Sequence, residues 1–324
     1  MRHLTEIALT EVGGFQVGHA EDSEAMTGCT AILFDDCSPA GVDVRGGGPA
    51  SRETPLLNPL ADAKGLHALL LSGGSAFGLD AGGGVMKYLE EHGIGFDVGI
   101  TKVPLVCTSC LFDLGVGRMD VRPDAAMAYR ACENASRDTV PEGNVGAGMG
   151  CTIGKYRGIS RAMKSGLGTY AVQAGRIKVG AIVAVNALGD VYDIDHGQMI
   201  AGLRTPDGKS LSSTEEEILG DIADTSSLFS RNTNTTIGAI FTNGAFDKSQ
   251  LTKIAGMTHN GYARTIRPVH TTADGDSIYA VSVGKETADL NVVGTIAAYI
   301  MGKAINRAVL AAEGLGGLPA AREL

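Results

Sequence analysis

The chain has 324 residues, 44% hydrophobic and 19% charged, the balance of a soluble globular protein long enough to bury a substantial core as one large domain or two. Its net charge of -9 works against a nucleic-acid or anionic-membrane partner, because the average field repels either. Glycine is abundant, at 46 residues, and tryptophan is absent, so tight turns and close backbone contacts take the place of large aromatic packing; no Gly-X-Y period accompanies the glycines, which excludes collagen.

The first residues, Met1-Arg2-His3-Leu4-Thr5-Glu6, lack the apolar core of a signal peptide, and the longest apolar run, residues 292–302, is too short to span a bilayer. The expected location is therefore the cytoplasm. Six cysteines in such a chain are expected to be reduced thiols. Cys107 and Cys110 form a C-x-x-C, but a structural zinc needs four ligands and there is no second C-x-x-C or H-x-x-x-H, so neither metal nor other cofactor is expected.

Taken in order, residues 15–17, 30–34 and 42–44 read as short strands separated by turns. The corner Arg45-Gly46-Gly47-Gly48-Pro49 comes next, open to two readings: backbone N–H groups holding an anion, or a tight loop needing positive φ. Residues 67–71 form a buried strand, which Ser72-Gly73-Gly74-Ser75-Ala76-Phe77-Gly78 turns into a helix running to about residue 91 and closed by Gly93, with Ser75 as its cap. This turn is not a nucleophile elbow, since Phe77 stands where Gly-x-Ser-x-Gly requires glycine. Gly82-Gly83-Gly84 lets another element approach the helix closely.

Residues 104–106 are an apolar strand entering 111–114, and Arg122-Pro123-Asp124-Ala125 opens a helix to about residue 135 with proline in its first turn. The glycine-rich stretch 143–155 is no dinucleotide fingerprint, because after Gly148 and Gly150 the third glycine falls at 154 rather than 153. Nor is it a P-loop, because Tyr156 follows Lys155. Taken alone, Lys155 reads as a solvated charge. Residues 168–172 and 178–186 are strands, the second ending in Asn186; an amide there can be a preorganised oxyanion donor or a turn former. Residues 203–233 are the most polar part of the chain and read as a linker.

That linker runs through Arg231-Asn232-Thr233-Asn234-Thr235-Thr236 straight into Ile237-Gly238-Ala239-Ile240-Phe241, a loop followed at once by a short run suited to a buried strand. A hydroxyl at the boundary can attack the carbonyl before it and pass the acyl group from nitrogen to oxygen. Hydrolysis of the ester then frees Thr235 as a chain terminus carrying nucleophile and amine base on one residue. An ordinary Asn/Thr-rich loop is the alternative. Beyond it, residues 247–259 have helical spacing, Asp274-Gly275-Asp276 stands at the mouth of the strand 278–283, and residues 290–312 form the last amphipathic helix. Asp274-Gly275-Asp276 is open to three readings: a plain turn, metal ligands although the calcium-loop pattern around it is missing, or two close carboxylates whose repulsion raises the apparent pKa of the pair and suits one of them to hold or move a proton beside an amine.

Several of these stretches together resemble a known family: Asp43-Val44-Arg45-Gly46-Gly47, Ser72-Gly73-Gly74-Ser75-Ala76-Phe77-Gly78-Leu79-Asp80, Gly143-Asn144-Val145-Gly146-Ala147-Gly148, Asn234-Thr235-Thr236-Ile237-Gly238, and Ile266-Arg267-Pro268-Val269-His270-Thr271 with Asp274-Gly275-Asp276. The chain is similar over nearly its whole length to the self-processing L-aminopeptidase/D-amino-acid esterase family, and most in motif to its nylon-oligomer (6-aminohexanoate-oligomer) endohydrolases. The resemblance implies a four-layer αββα sandwich of α+β class, like the N-terminal-nucleophile hydrolases but differently connected. It implies a precursor cut between Asn234 and Thr235 into a larger α chain, 1–234, and a smaller β chain, 235–324, which stay together as one compact domain.

Residue by residue, the resemblance makes Thr235 the nucleophile, Lys155 the catalytic lysine, Asn186 the oxyanion-binding amide, and Asp274 and Asp276 the pair that positions the threonine amine and hydroxyl. Phe112 and Gly146 are implied at the substrate pocket. Cys107 and Cys110, just before Phe112, depart from the family pattern and bear on substrate preference. The implied partners are a small amide or oligoamide substrate and further copies of the chain, as a homotetramer of α/β heterodimers. Two alternatives stay open on the sequence: an acyltransferase using the same acyl-enzyme, and a non-catalytic ligand-binding protein if Thr235 remains internal.

Overall fold

The computed structural model describes residues 4–221 and 234–324, so residues 222–233 of the expected linker, with Arg231, Asn232 and Thr233 of the junction, lie outside the described residues. Two sheets face each other. One has the strand order Thr5–Ile7, Leu167–Ala174, Ile177–Asn186, Thr235–Gly244, Ser277–Glu286, Ala40–Val44; the other runs Phe15–Asp22, Thr27–Ser38, Leu66–Ser72, Val106–Cys110, Ala50–Arg52. Helices Lys248–Thr265 and Leu290–Ala311 cover the outer face of the first sheet, and Gly82–Glu91 and Ala125–Glu133 that of the second. The result is the four-layer αββα sandwich.

Burial on both faces explains why the central strands read as unbroken apolar runs rather than alternating ones. In Ile177–Asn186, Val179, Ala181, Val183 and Val185 point to the helices while Ile182 and Ala184 point between the sheets. Thr235–Gly244 divides likewise, Ile240 outward and Ile237, Ala239 and Phe241 inward. Across the sandwich Ile32 and Leu69 meet this inner layer, while Ala31 and Leu70 face the opposite pair of helices. Phe15 and Phe241 stack with ring centroids 4.3 Å apart and lock the two sheets together.

Strand direction decides which segments share an edge. Thr235–Gly244 is antiparallel to Ile177–Asn186 but parallel to Ser277–Glu286, the parallel connection being made through the helix Lys248–Thr265. The beginnings of two strands and the end of a third therefore lie together at one edge of the sandwich. Among the described residues no helix is long and apolar enough to cross a membrane.

Two local expectations are corrected. Ser75 makes no capping bond; it lies at φ 53 at the start of a 3-10 segment, Ser75–Ala81, that precedes the helix Gly82–Glu91, so the turn is tighter than a simple capped start. Pro123 sits before the second helix rather than in its first turn, and Asp124 caps that helix by accepting from Met127 N at 2.8 Å.

The Gly82-Gly83-Gly84 run does admit a neighbour, but through Gly84 and not Gly83. A Cβ on Gly84 would meet the Ala125 carbonyl oxygen at 1.9 Å, whereas one on Gly83 would meet nothing within 4 Å. Gly84→Ala should therefore destabilise the fold by about 1–3 kcal/mol through overpacking. Gly83→Ala should be neutral or stabilising by up to about 1 kcal/mol through helix propensity. Urea denaturation of the two variants tests the contrast.

Candidate active site

Register alone assembles the site. Asn186 and Thr235 are antiparallel partners at the same end of the first sheet. On the other side Ile237 pairs with Ser277 in parallel, and the alignment continues outward as a bridge between Asn234 and Asp274. Asn186, the Asn234-Thr235 peptide and Asp274-Gly275-Asp276 thus occupy three neighbouring positions across the sheet edge.

The Asn234 carbonyl is the point of convergence. Thr235 Oγ1 donates a hydrogen bond to Asn234 O, and Gly275 N donates to the same oxygen at 3.0 Å. Thr235 is only 4% exposed, so both groups act on that carbonyl away from bulk water. A Cβ at Gly275 would lie 2.8 Å from Thr235 Oγ1 and 2.9 Å from Gly48 O, so a side chain there would displace the hydroxyl. Asp276 Oδ1 accepts from Thr236 N at 2.8 Å, and its Oδ2 accepts from His270 N at 3.1 Å and Nδ1 at 2.9 Å.

The Arg45–Gly48 corner turns out to serve this loop. Arg45 N and Gly46 N donate to Asp276 O at 3.0 and 3.3 Å, Gly47 N to Thr271 O at 3.2 Å, and Gly48 N to Asp274 O at 2.8 Å. Its N–H groups are spent on the acidic loop's carbonyls, and none of its glycines has positive φ. They are small because the loop is close: a Cβ on Gly46 would meet Asp276 N at 2.3 Å and Asp274 O at 2.4 Å.

On the other side of Thr235, Asn186 is completely buried. Its Oδ1 accepts from Thr152 N at 3.0 Å and from Lys155 Nζ at 2.8 Å, and its backbone carbonyl accepts from the same ammonium at 2.9 Å. Those donors fix which end of the amide is oxygen, and Nδ2 accordingly donates to Phe112 O at 2.7 Å. Lys155 is therefore turned inward, contrary to its isolated reading as a solvated charge. The residue is half-buried overall, but its ammonium is enclosed, and desolvation pushes its pKa down to about 7 against the upward pull of Cys151, Asp274, Asp113 and Asp276.

Asp274 moves the other way. Burial first, and the charge of Asp276 second, push it up to about 6, opposed by its hydrogen bonds from Thr271 N at 2.8 Å and Thr271 Oγ1 at 2.5 Å and by Lys155. The repulsion expected from two close carboxylates is thus present, with desolvation the larger cause. Asp113 is buried nearby, accepting from Thr27 Oγ1 at 2.6 Å and Gly74 N at 2.7 Å, and its charge acts on Lys155.

Of the two residues implied at a substrate pocket, Phe112 is half-buried and touches the site through its carbonyl on Asn186. Gly146 opens a short segment, Gly146–Gly148, between the two sheets: its N donates to Glu21 Oε2 at 2.7 Å, a Cβ on it would meet Thr30 Oγ1 and His19 Nδ1, and the neighbouring Ala147 packs with Ala184 and Ile237. All six cysteines are free thiols. Cys107 and Cys110 lie three residues apart on one strand and hence on opposite faces, with burial raising both thiols. Thr152, Thr271, His270 and the Gly275 N–H carry no signal of their own in the sequence. His270, Thr271 and Gly275 stand inside the family-like motifs, but only the fold shows what they face.

The sequence profile of peptidase family S58 matches residues 8–322. An uncharacterized aminopeptidase of Mycobacterium tuberculosis is 36% identical over 98% of this chain and 97% of its own length. A 6-aminohexanoate-oligomer endohydrolase of a Kocuria species is 29% identical over 90% of this chain and 83% of its own. Among solved structures, the L-aminopeptidase D-Ala-esterase/amidase of Ochrobactrum anthropi, described as a variant of the Ntn hydrolase fold, superposes with a TM-score of 0.72 over 96% of this chain and 88% of that one at 19% identity. A β-aminopeptidase of a Burkholderia species does so with a TM-score of 0.68, over 97% and 90%, at 20% identity.

The enclosed Lys155 ammonium has a measurable consequence. Lysine ordinarily titrates near 10.5, so between about 7 and 10.5 the unfolded chain holds a proton that the native state has shed, and native stability gains as pH rises through that window. Lys155→Met removes this contribution. The stability difference, wild type minus variant, should therefore grow in favour of the wild type between pH 7 and pH 10 in denaturant titrations; a constant difference would contradict the lowered pKa.

Proposed function

Since the chain belongs to peptidase family S58 and is an amide-bond hydrolase of N-terminal-nucleophile-hydrolase fold, we propose that it cleaves itself between Asn234 and Thr235 and then uses Thr235 to hydrolyse small amides through an acyl-enzyme. The observation that carries this reading is the pairing of Thr235 Oγ1 with the Asn234 carbonyl while Gly275 N–H holds the same oxygen. In the first reaction the hydroxyl oxygen adds to the Asn234 carbonyl carbon, and its proton passes to the Thr235 nitrogen, which departs as the amine. Negative charge gathers on Asn234 O, facing the Gly275 N–H, and the C–N bond breaks to leave an ester and a free amine. Water then hydrolyses the ester, and the α and β chains remain packed through the shared sheet.

In the second reaction the freed terminus attacks substrate. The hydroxyl proton passes to the terminal amine or to neutral Lys155, whose lowered pKa leaves much of it unprotonated near neutrality. Asn186 has one amide hydrogen on Phe112 O; its second is the donor assigned to the substrate oxyanion. Asp276, bonded to Thr236 N, orients the backbone beside the nucleophile, and Asp274 tunes Lys155 and receives or returns a proton. Phe112 and Gly146 are proposed to bear on substrate fit. The substrate class is small peptides, amino-acid amides or 6-aminohexanoate oligomers, in keeping with relatives named aminopeptidase and 6-aminohexanoate-oligomer endohydrolase. A cytoplasmic homotetramer of α/β heterodimers belongs to the same reading.

Intact mass is the direct test. Purified protein should separate under denaturing conditions into fragments of 234 and 90 residues. Thr235→Ala should remain one inactive chain, Thr235→Ser should retain part of both reactions, and Thr236→Ala should still be cut. Asn186→Ala should bind substrate yet turn over roughly a hundred- to a thousandfold more slowly, the usual loss for one oxyanion donor. Full turnover by a chain whose residues 234 and 235 are still joined would end this reading.

A further inference from the structure

We propose that His270 is a positioning residue: its imidazole holds the Asp276 carboxylate in the orientation that sets the backbone beside the nucleophile. The proposal rests on the reading of Thr235 as nucleophile and adds a residue for which that reading has no role.

Asp276 is stretched between two partners. One carboxylate oxygen accepts from Thr236 N at 2.8 Å, and the other accepts twice from His270, from its backbone N at 3.1 Å and from Nδ1 at 2.9 Å. A carboxylate has no hydrogen to give, so Nδ1 carries the proton and the tautomer is set by the bond. The ring is clamped edge-to-face by His259 at a centroid distance of 4.7 Å and stacked on Tyr262 at 5.9 Å. Tyr262 OH reaches Thr236 O at 3.4 Å, and His259 Nε2 faces Asp43 O at 3.0 Å. Both backbone polar groups of Thr236, the residue after the nucleophile, are therefore held by the cluster that packs around His270.

Two features argue against a merely space-filling histidine. Its φ is 62, in the left-handed region that glycine and asparagine occupy at least cost. Its Nε2 is buried with no hydrogen-bond partner among the described residues, an expense that an apolar or smaller side chain would avoid. What histidine supplies at this strained turn, and glycine cannot, is a second N–H, from the side chain, aimed at Asp276 beside the backbone one.

Three substitutions separate the side-chain donor from the turn. His270→Gly relaxes the backbone and removes the side-chain donor while keeping the backbone one; His270→Asn keeps left-handed tolerance and offers an amide N–H near the place of Nδ1; His270→Asp tolerates the turn but sets an acceptor against Asp276. Splitting of the chain is followed by mass, and kcat and KM are measured on the best substrate from a panel of amino-acid amides, short peptides and 6-aminohexanoate oligomers. The glycine variant, in which relief at φ 62 offsets part of the lost ring packing, should still melt cooperatively yet split slowly and show kcat reduced about ten- to a hundredfold at unchanged KM, as for loss of one charge-assisted hydrogen bond. The asparagine variant should stay within about threefold of wild type, and the aspartate variant should be slowest. Wild-type splitting and kcat in His270→Gly, or equal behaviour of all three, would overturn the proposal. If instead the wild type is not split, or Thr235→Ala is active, the reading of Thr235 itself has failed and the His270 comparison is not the cause.

Discussion

The site depends on the direction of one strand. Thr235–Gly244 lies between an antiparallel neighbour, which ends beside its start, and a parallel neighbour, which starts beside its start. An antiparallel hairpin to Ser277–Glu286 would carry Asp274 and Asp276 to the far edge of the sheet. The crossover helix Lys248–Thr265 returns the chain to the edge it left and makes the parallel pairing possible. A register slip of one residue would turn Thr235 to the opposite face, and burial of both faces of the strand by unlike partners resists such a slip.

Close approach is the second constraint. Gly46, Gly47 and Gly275 let the corner, the acidic loop and the start of the Thr235 strand approach one another closely, and the donors of the Arg45–Gly48 corner tie down the acidic loop. This loop would otherwise carry two carboxylates on an untethered turn. The tethering gives the buried Asp276 a full set of partners, Thr236 N on one oxygen and His270 on the other, which is the condition for burying a charge without losing the fold. On the opposite flank Asn186 plays the matching part, holding Lys155 through two oxygens while anchoring itself on Phe112 and Thr152.

The electrostatics follow from that enclosure. A lysine drawn down to about 7 and an aspartate drawn up to about 6 are shifted chiefly by loss of water, with the neighbouring charges secondary. Both groups thus exchange protons near neutral pH, which suits hydroxyl activation in self-cleavage and in turnover on the proposed reading.

Much of the architecture is legible in the chain itself. The passage from polar residues into Ile237-Gly238-Ala239-Ile240-Phe241 marks the junction, the apolar runs mark strands buried on both faces, and the motif set points to the family and its four layers, because each depends only on neighbours in sequence. Local pattern misjudges Ser75 as a cap and Lys155, taken alone, as a surface charge, since a cap is a matter of backbone angles and exposure a matter of what folds over a residue. The role of the Arg45–Gly48 corner is equally out of reach, because it is defined by carbonyls more than 200 residues away. The sequence by itself determined the residue types, the loop-to-strand boundary and the fold class. Only the tertiary structure decided which donors meet the Asn234 carbonyl, which way Lys155 points and that His270 grips Asp276, because those contacts arise from strand direction and close backbone approach between distant segments.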